Sequence, residues 1–314
     1  MLAGRDGSCG VPSCYQHNSI CCPPTNIQLI LSFGFLGVDF FFVLSGFIIH
    51  YMMNTRPRPA LRFALDRFTR IMLPYWPVGI VLAVAYTLFP SLSAGERSWG
   101  WISTLTLIPT ELPPALSVAW TLQHELIFYL IYAVLFFSGR ICIGLGIWAA
   151  TIIANALMAP SEWTVLNMVL APINLEFISG VVAAAMFLSS RAVSALGSIA
   201  LAAGFMFVFV FSGADRSESW LVGFAIVALV PWICRLESDG AFQVPRWLVF
   251  GGASSYAIYL VHNPLLSLLS RLMSQLDIGW AVALLVSAIA SAVAGTVWYI
   301  TWEQPIMKLV KSLR

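Results

Sequence analysis

The feature that most constrains the fold of this chain is a succession of apolar stretches, most of them close to 20 residues long. Nine such stretches follow one another, separated by short polar segments. They run over about 36–53, 74–90, 118–137, 141–158, 164–188, 194–212, 219–234, 247–270 and 279–301. Hydrocarbon offers the backbone no hydrogen-bond partner, so a segment of about 20 residues that crosses a membrane must be helical. The sequence therefore predicts an all-α, polytopic integral membrane helical bundle with about nine spanning helices.

The low content of charged residues excludes a soluble protein. Of the 314 residues, 10% are charged and 60% are hydrophobic, and the mean hydropathy is +0.87. An average soluble domain has about 25% charged residues, which cover its surface. The net charge of +2 gives no indication of nucleic-acid binding. The basic residues instead indicate how the chain is oriented in the membrane.

Residues 1–26 differ from the rest of the chain. They are rich in Gly, Ser, Pro and Cys and contain no apolar segment. We predict an irregular polar segment there and a single membrane domain over 27–314. Four of the six cysteines belong to this segment, but their spacing does not match the usual zinc sites, so we predict no metal site.

The distribution of Arg and Lys predicts which loops face the cytoplasm. One set of loops, 54–73, 138–140, 189–193, 235–246 and the tail 302–314, contains twelve of the 16 basic residues. Basic residues accumulate in cytoplasmic loops. We therefore expect this set and the C-terminus to lie in the cytoplasm. With an odd number of helices, the N-terminus is then expected outside.

The segment 99–117 is moderately apolar but is interrupted by Pro109, Glu111, Pro113 and Pro114. These residues argue against a spanning helix, so we predict an extracytoplasmic loop. Irregular backbone can enter the membrane only where protein lines a cavity around it.

Ionisable side chains inside apolar stretches are candidates for a functional site, because they are costly in lipid. Asp39, Glu125 and Glu303 are three such residues, and His262 is a fourth. Three of them also have structural interpretations. Asp39 can cap its helix, and Glu303 can pair with a basic loop. His262 can bond a carbonyl group that Pro264 leaves without its helical partner.

An arginine-rich segment follows the first apolar stretch. Within it, Arg67 and Arg70 are three residues apart, which places them on one face of a helix. Cytoplasmic orientation alone would explain several of these arginines. Paired guanidinium groups can also grip phosphate bidentately, and we favour a phosphate-bearing ligand.

Five motifs, taken together and in order, resemble those of the acyltransferase-3 family, the multi-spanning membrane acyltransferases that modify cell-surface polysaccharides and exopolysaccharides. They are GVDFFFVLSGF at 37–47, RFTRI with PY at 67–75, WTLQHE with FY at 120–129, SYAIYLVHNP at 255–264 and EQP at 303–305. The resemblance implies a ten-helix bundle in the bacterial inner membrane. It also implies transfer of an acyl group, commonly acetyl, from cytoplasmic acyl-CoA to a sugar hydroxyl on or beyond the outer face. No bound cofactor is expected.

The resemblance also implies roles for single residues. Arg67 and Arg70 correspond to the family's Arg-x-x-Arg pair and are expected near the CoA phosphates. The family's first helix contains an Arg, ten further residues and then the presumed catalytic His. Here Arg5 and His17 are separated by eleven residues of a polar stretch, so the first helix is expected to be truncated or altered. His17 is the expected catalytic base.

Two carboxylates complete the predicted catalytic set. Asp39 is expected to orient the imidazole of His17, as a carboxylate does in triad-like sites. Glu125 and Ser45 are expected to line the cavity or to hold the acceptor. His262 is assigned to substrate binding.

Two other classes of function remain open from the residues. One is a transporter or a flippase for a glycan or a lipid-linked sugar, although no inverted repeat is visible. The other is a catalytically impaired relative that still binds CoA. The expected partners are acyl-CoA, a polysaccharide or lipid-linked saccharide acceptor and membrane lipid, without nucleic acid.

Overall fold

A computed structural model describes residues 34, 36–90, 98–156, 164–189, 195–211, 220–276 and 278–313. None of these residues lies in a β-strand. The helices are α1 (Leu36–Thr55), α2 (Ala60–Leu88), α3 (Trp101–Thr106), α4 (Trp120–Phe137), α5 (Ile141–Ala156), α6 (Thr164–Val169), α7 (Asn174–Leu188), α8 (Ala195–Phe211), α9 (Trp220–Ser238), α10 (Arg246–Gln275), α11 (Trp280–Trp298) and α12 (Gln304–Ser312). A 3₁₀ turn, Ser117–Ala119, precedes α4, and a π-helical turn, Tyr299–Glu303, joins α11 to α12.

The predicted class is confirmed. Each predicted apolar stretch overlaps with one helix or, for 164–188, with two. Within the described ranges, six segments are long and apolar enough to cross a membrane. They are Leu36–Thr55, Ala60–Leu88, Ser117–Phe137, Thr164–Leu188, Leu221–Ser238 and Trp280–Ser312. The protein is therefore an all-α, multi-pass membrane protein.

Two boundaries differ from the prediction. The sequence predicts a loop over 54–73, but residues 60–73 form the first half of α2, so the loop prediction is wrong there. Arginines end an apolar stretch without ending a helix, because they have good helix propensity. The stretch 164–188 is broken between α6 and α7. The amide of Asn174 donates to the carbonyls of Met168 (2.7 Å) and Val169 (3.0 Å), which satisfies backbone oxygens freed by the break.

Helices α1 and α7 cross at backbone contact, and this contact sets the centre of the bundle. A Cβ added to Gly46 would lie 2.1 Å from the carbonyl oxygen of Phe177. A Cβ added to Gly180 would lie 2.0 Å from that of Val43. Small residues allow such close crossings in membranes, where packing and not water exclusion drives association.

Residues 98–119 return into the bundle between the long helices. Tyr75, near the middle of α2, donates a hydrogen bond to the carbonyl of Thr104 (2.9 Å). Tyr259 on α10 donates to the carbonyl of Val118 (3.1 Å). Side chains thus satisfy backbone oxygens of an irregular segment that lies at the depth of helical residues.

Candidate functional site

A basic cavity of about 660 Å³ lies between α1, α2, the π-helical turn and α12. Six of its lining side chains are cationic and two are acidic. The charged lining residues are Arg58, Arg62, Asp66, Arg67, Arg70, Glu303, Lys308 and Lys311. A cavity of this size falls in the range of small-molecule sites. Its excess of positive charge favours an anionic ligand.

The two acids of the cavity are both bound to arginines. Asp66 accepts a hydrogen bond from Arg58, and Glu303 accepts one from Arg70. The side chain of Glu303 is fully buried, whereas that of Arg70 is 39% exposed. Glu303 therefore pairs with the basic segment, as its structural interpretation predicts, and at the same time belongs to the cavity wall.

A buried polar cluster begins where the cavity meets the bundle. Arg67 lies beside Tyr129 of α4, with its guanidinium carbon 5.9 Å from the centre of that ring. The Tyr129 hydroxyl donates to Oε1 of Glu125, which lies one helical turn earlier. Ser45 of α1 donates to the same oxygen at 3.4 Å. The structure thus brings together the predicted residues Ser45, Glu125 and Arg67, with Arg70 in the adjoining cavity wall.

A second pair of carboxyl groups lies further along α1. Asp39 and Glu176 of α7 are 3% and 2% exposed and lie close enough to interact electrostatically. Asp39 precedes Ser45 by six residues, or about 9 Å along the helix. The polar groups therefore extend from the basic cavity toward the other end of α1.

Glu176 is a site residue that the sequence reasoning missed. It is the single acidic residue of the apolar stretch 164–188, and this was the signal that could have identified it. Tyr129, Lys308 and Lys311 were also missed as site residues. Nothing local in the sequence connects the two lysines with arginines more than 200 residues earlier.

The other predicted residues lie apart from the basic cavity. His262 does not line the cavity. Its Nδ1 lies 2.6 Å from the carbonyl oxygen of Tyr259, one turn earlier. The neighbouring Asn263 accepts a hydrogen bond from Ser117 (2.6 Å), which places His262 beside the returning segment 98–119. His17 lies outside the described residues.

The site has two parts of different character. One end offers cations for an anionic ligand, and a buried hydroxyl–carboxyl cluster connects it with the interior. The other end has the carboxyl pair of Asp39 and Glu176 and the returning segment 98–119. The arrangement places a binding surface for an anion beside buried groups that can exchange a proton.

Comparisons with known proteins identify the family of this chain. An acyltransferase domain model, that of the acyltransferase-3 family, matches residues 21–298. The chain is 29% identical over 299 residues to the exopolysaccharide production protein ExoZ of Rhizobium meliloti (strain 1021), an alignment that covers 90% of this chain and 92% of that protein. No solved structure matches the chain. Because the family model spans most of the described helices, including the basic segment and the buried acids, the chain belongs to the acyltransferase-3 family.

Proposed function

We propose that this protein transfers an acyl group, which we take to be acetyl, from acyl-CoA to a hydroxyl of an exopolysaccharide sugar. The family supports acyl transfer, and the name of the Rhizobium protein supports an exopolysaccharide acceptor. The observation that carries the donor assignment is the basic cavity that adjoins the buried cluster of Arg67, Tyr129 and Glu125. A CoA thioester has phosphates at one end and the reactive carbonyl at the other, which matches this polarity.

In this proposal Arg67 and Arg70 bind the CoA phosphates. Guanidinium groups bind phosphate bidentately, and Arg70 retains donors for a ligand while it is paired with Glu303. The pantetheine arm then extends past Tyr129 and Glu125 into the bundle. The proposal puts the basic end in the cytoplasm of a bacterial inner membrane, in agreement with the bias of Arg and Lys.

The chemistry requires a base, because a sugar hydroxyl is a weak nucleophile near neutral pH. The hydroxyl oxygen bonds to the thioester carbonyl carbon while its proton passes to the base. The carbon–sulfur bond then breaks, and the CoA thiolate takes up the proton to leave as the free thiol. We assign the base to His17, with Asp39 as the carboxylate that orients it. Ser45 and Glu125 hold the acceptor.

The test is transfer of radiolabel from labelled acetyl-CoA to exopolysaccharide in inside-out membrane vesicles. We expect Arg67→Ala and Arg70→Ala to raise the KM for acetyl-CoA by about tenfold or more, because each removes charge-assisted hydrogen bonds to phosphate. His17→Ala should lower kcat with little change in that KM. Arg246→Ala is the matched control, since Arg246 is an exposed arginine at the start of α10 and does not line the cavity.

An unchanged kcat in His17→Ala together with an unchanged KM for acetyl-CoA in Arg67→Ala would refute the proposed mechanism. Binding of CoA without transfer to any saccharide would favour the impaired CoA-binding protein. Movement of an unmodified saccharide across the vesicle membrane would favour the flippase.

A further inference from the structure

The C-terminal helix α12 presents one face to the basic cavity. Gln304, Met307, Lys308 and Lys311 all line it, at the spacing i, i+3, i+4 and i+7 that defines a single helical face. Leu309, which does not line the cavity, is 52% exposed. The lysines of α12 thus lie on the cavity side together with Met307 and Val310, whereas Leu309 and Leu313 are exposed and do not line the cavity.

The π-helical turn Tyr299–Glu303 determines which face of α12 meets the cavity. A π turn contains one residue more than an α turn, so it rotates everything after it by about 100° relative to a continuous α-helix. With this rotation Glu303 is fully buried against Arg70. The same rotation directs Lys308 and Lys311 to the cavity. Such turns occur frequently at functional sites.

Among the described residues that line the cavity, positive charges outnumber negative ones. Its lining has six cationic and two acidic side chains, an excess of four positive charges. The two acids pair with Arg58 and Arg70. In the part of the chain that the structure describes, no ion pair joins Lys308 or Lys311 to a carboxylate. An anionic ligand would supply the missing countercharge.

We propose that Lys308 and Lys311 form a second phosphate-binding group, which takes the 3′-phosphate of the CoA ribose, while the arginines of α2 bind the diphosphate. This inference rests on the proposed function. Lys308 and Lys311 lie five and eight residues beyond Glu303, or about 7.5 and 12 Å further along the chain from the Arg70 contact. In CoA the 3′-phosphate lies beyond the diphosphate as seen from the thioester. The order of the cations therefore matches the order of the phosphates.

The types of cation also match the two phosphate groups. A diphosphate offers pairs of oxygens to the planar guanidinium fork, which binds them bidentately. The phosphate on the ribose is a terminal monoester, which an ammonium group binds as a point charge. Lysine side chains can reach such a group from an exposed helix, because their stems are long and flexible.

The test uses the fact that the 314-residue sequence contains only these two lysines. An amine-reactive reagent therefore modifies Lys308, Lys311 and the N-terminal amine, and mass spectrometry separates the three. The full chain is placed in nanodiscs of neutral lipid, with CoA or with dephospho-CoA, which lacks the 3′-phosphate. We expect saturating CoA to slow modification of both lysines by about tenfold, and dephospho-CoA to have a much smaller effect.

Affinity measurements supply the second readout. We expect the wild-type chain to bind CoA about tenfold or more tightly than dephospho-CoA, and the Lys308→Gln/Lys311→Gln variant to bind the two almost equally. Arg246→Ala, the matched control, should keep the preference of the wild-type chain. Retention of the full preference by the lysine variant would overturn the inference.

The remaining outcomes separate this inference from the proposed function. If CoA binds but leaves both lysines reactive, the inference fails and the donor assignment stands. If neither CoA nor dephospho-CoA binds, the donor assignment fails as well. A second set of nanodiscs contains anionic lipid. Protection of the lysines there, with no protection by CoA in neutral lipid, would assign the lysines to lipid headgroups and overturn the inference.

Discussion

At the scale of the residue, Arg70 connects three parts of the chain. It pairs with Glu303, which is 233 residues later, and its guanidinium carbon lies 5.4 Å from the ring centre of Tyr256. The pair is asymmetric, since the carboxylate is buried and the guanidinium is partly exposed. Removal of the arginine would leave a buried charge without its partner, which costs more than the pair contributes.

We therefore predict that Arg70→Ala lowers the free energy of unfolding by about 1–3 kcal/mol, less than for a fully buried pair because Arg70 is partly exposed. Arg67→Ala, which breaks no ion pair among the described residues, should cost less. Adding Glu303→Gln to Arg70→Ala should recover much of the stability but not the binding of CoA. Thermal unfolding in detergent and CoA titration measure the two effects. A double variant as unstable as Arg70→Ala would contradict this account.

At the scale of the element, the crossing of α1 and α7 positions most of the buried polar residues. Ser45 directly precedes Gly46, and Glu176 directly precedes Phe177, whose carbonyl Gly46 approaches. The contact of Ser45 with Glu125 and that of Asp39 with Glu176 thus both lie within two helical turns of this crossing. A change in the separation of the two helices would alter the site as well as the packing.

We predict that Gly180→Ala lowers the free energy of unfolding by about 1–3 kcal/mol or more, because the new methyl group forces the helices apart. It should lower activity as well. The matched control is Gly146→Ala in α5, where an added Cβ meets nothing within 4 Å. That variant should be neutral or more stable by up to about 1 kcal/mol, through helix propensity alone. Equal unfolding midpoints for the two variants would show that the close crossing does not contribute.

At the scale of the whole molecule, the two ends of the bundle have different surfaces. The basic cavity and α12 lie at the end of the bundle where α2 begins and α11 ends. Helix α10 also begins at this end, because the ring of Phe250 contacts that of Tyr299. The segment 98–119 follows the C-terminal end of α2 and packs beside Tyr75, near the middle of that helix. The basic cavity and the segment 98–119 therefore meet α2 at different positions along its length.

We predict that a membrane-impermeant amine reagent modifies Lys308 and Lys311 in inside-out vesicles and not in right-side-out vesicles. The variant Glu111→Lys should show the reverse pattern for its new lysine, because Glu111 is exposed in the segment between α3 and α4. Peptide mass spectrometry identifies each modified residue. Modification of the native lysines from the outer face would reverse the proposed orientation and exclude a cytoplasmic donor site.

The sequence by itself determined the class of the protein, the approximate bounds of its helices and the expected orientation. These depend on local properties, namely the length of an apolar segment and the charge beside it. Motifs also identified Asp39, Glu125, Arg67 and Arg70 as candidates. The assignment of His17 stays a prediction.

Only the tertiary structure decided which of these side chains meet. The contacts of Arg70 with Glu303, of Glu125 with Tyr129 and Ser45, and of Asp39 with Glu176 depend on how each helix is rotated and on which helix lies beside it. A single π-helical turn rotates α12 and brings its lysines to the arginines of α2. Such rotation is set by packing over the whole bundle, so apolar length and local charge do not reveal it.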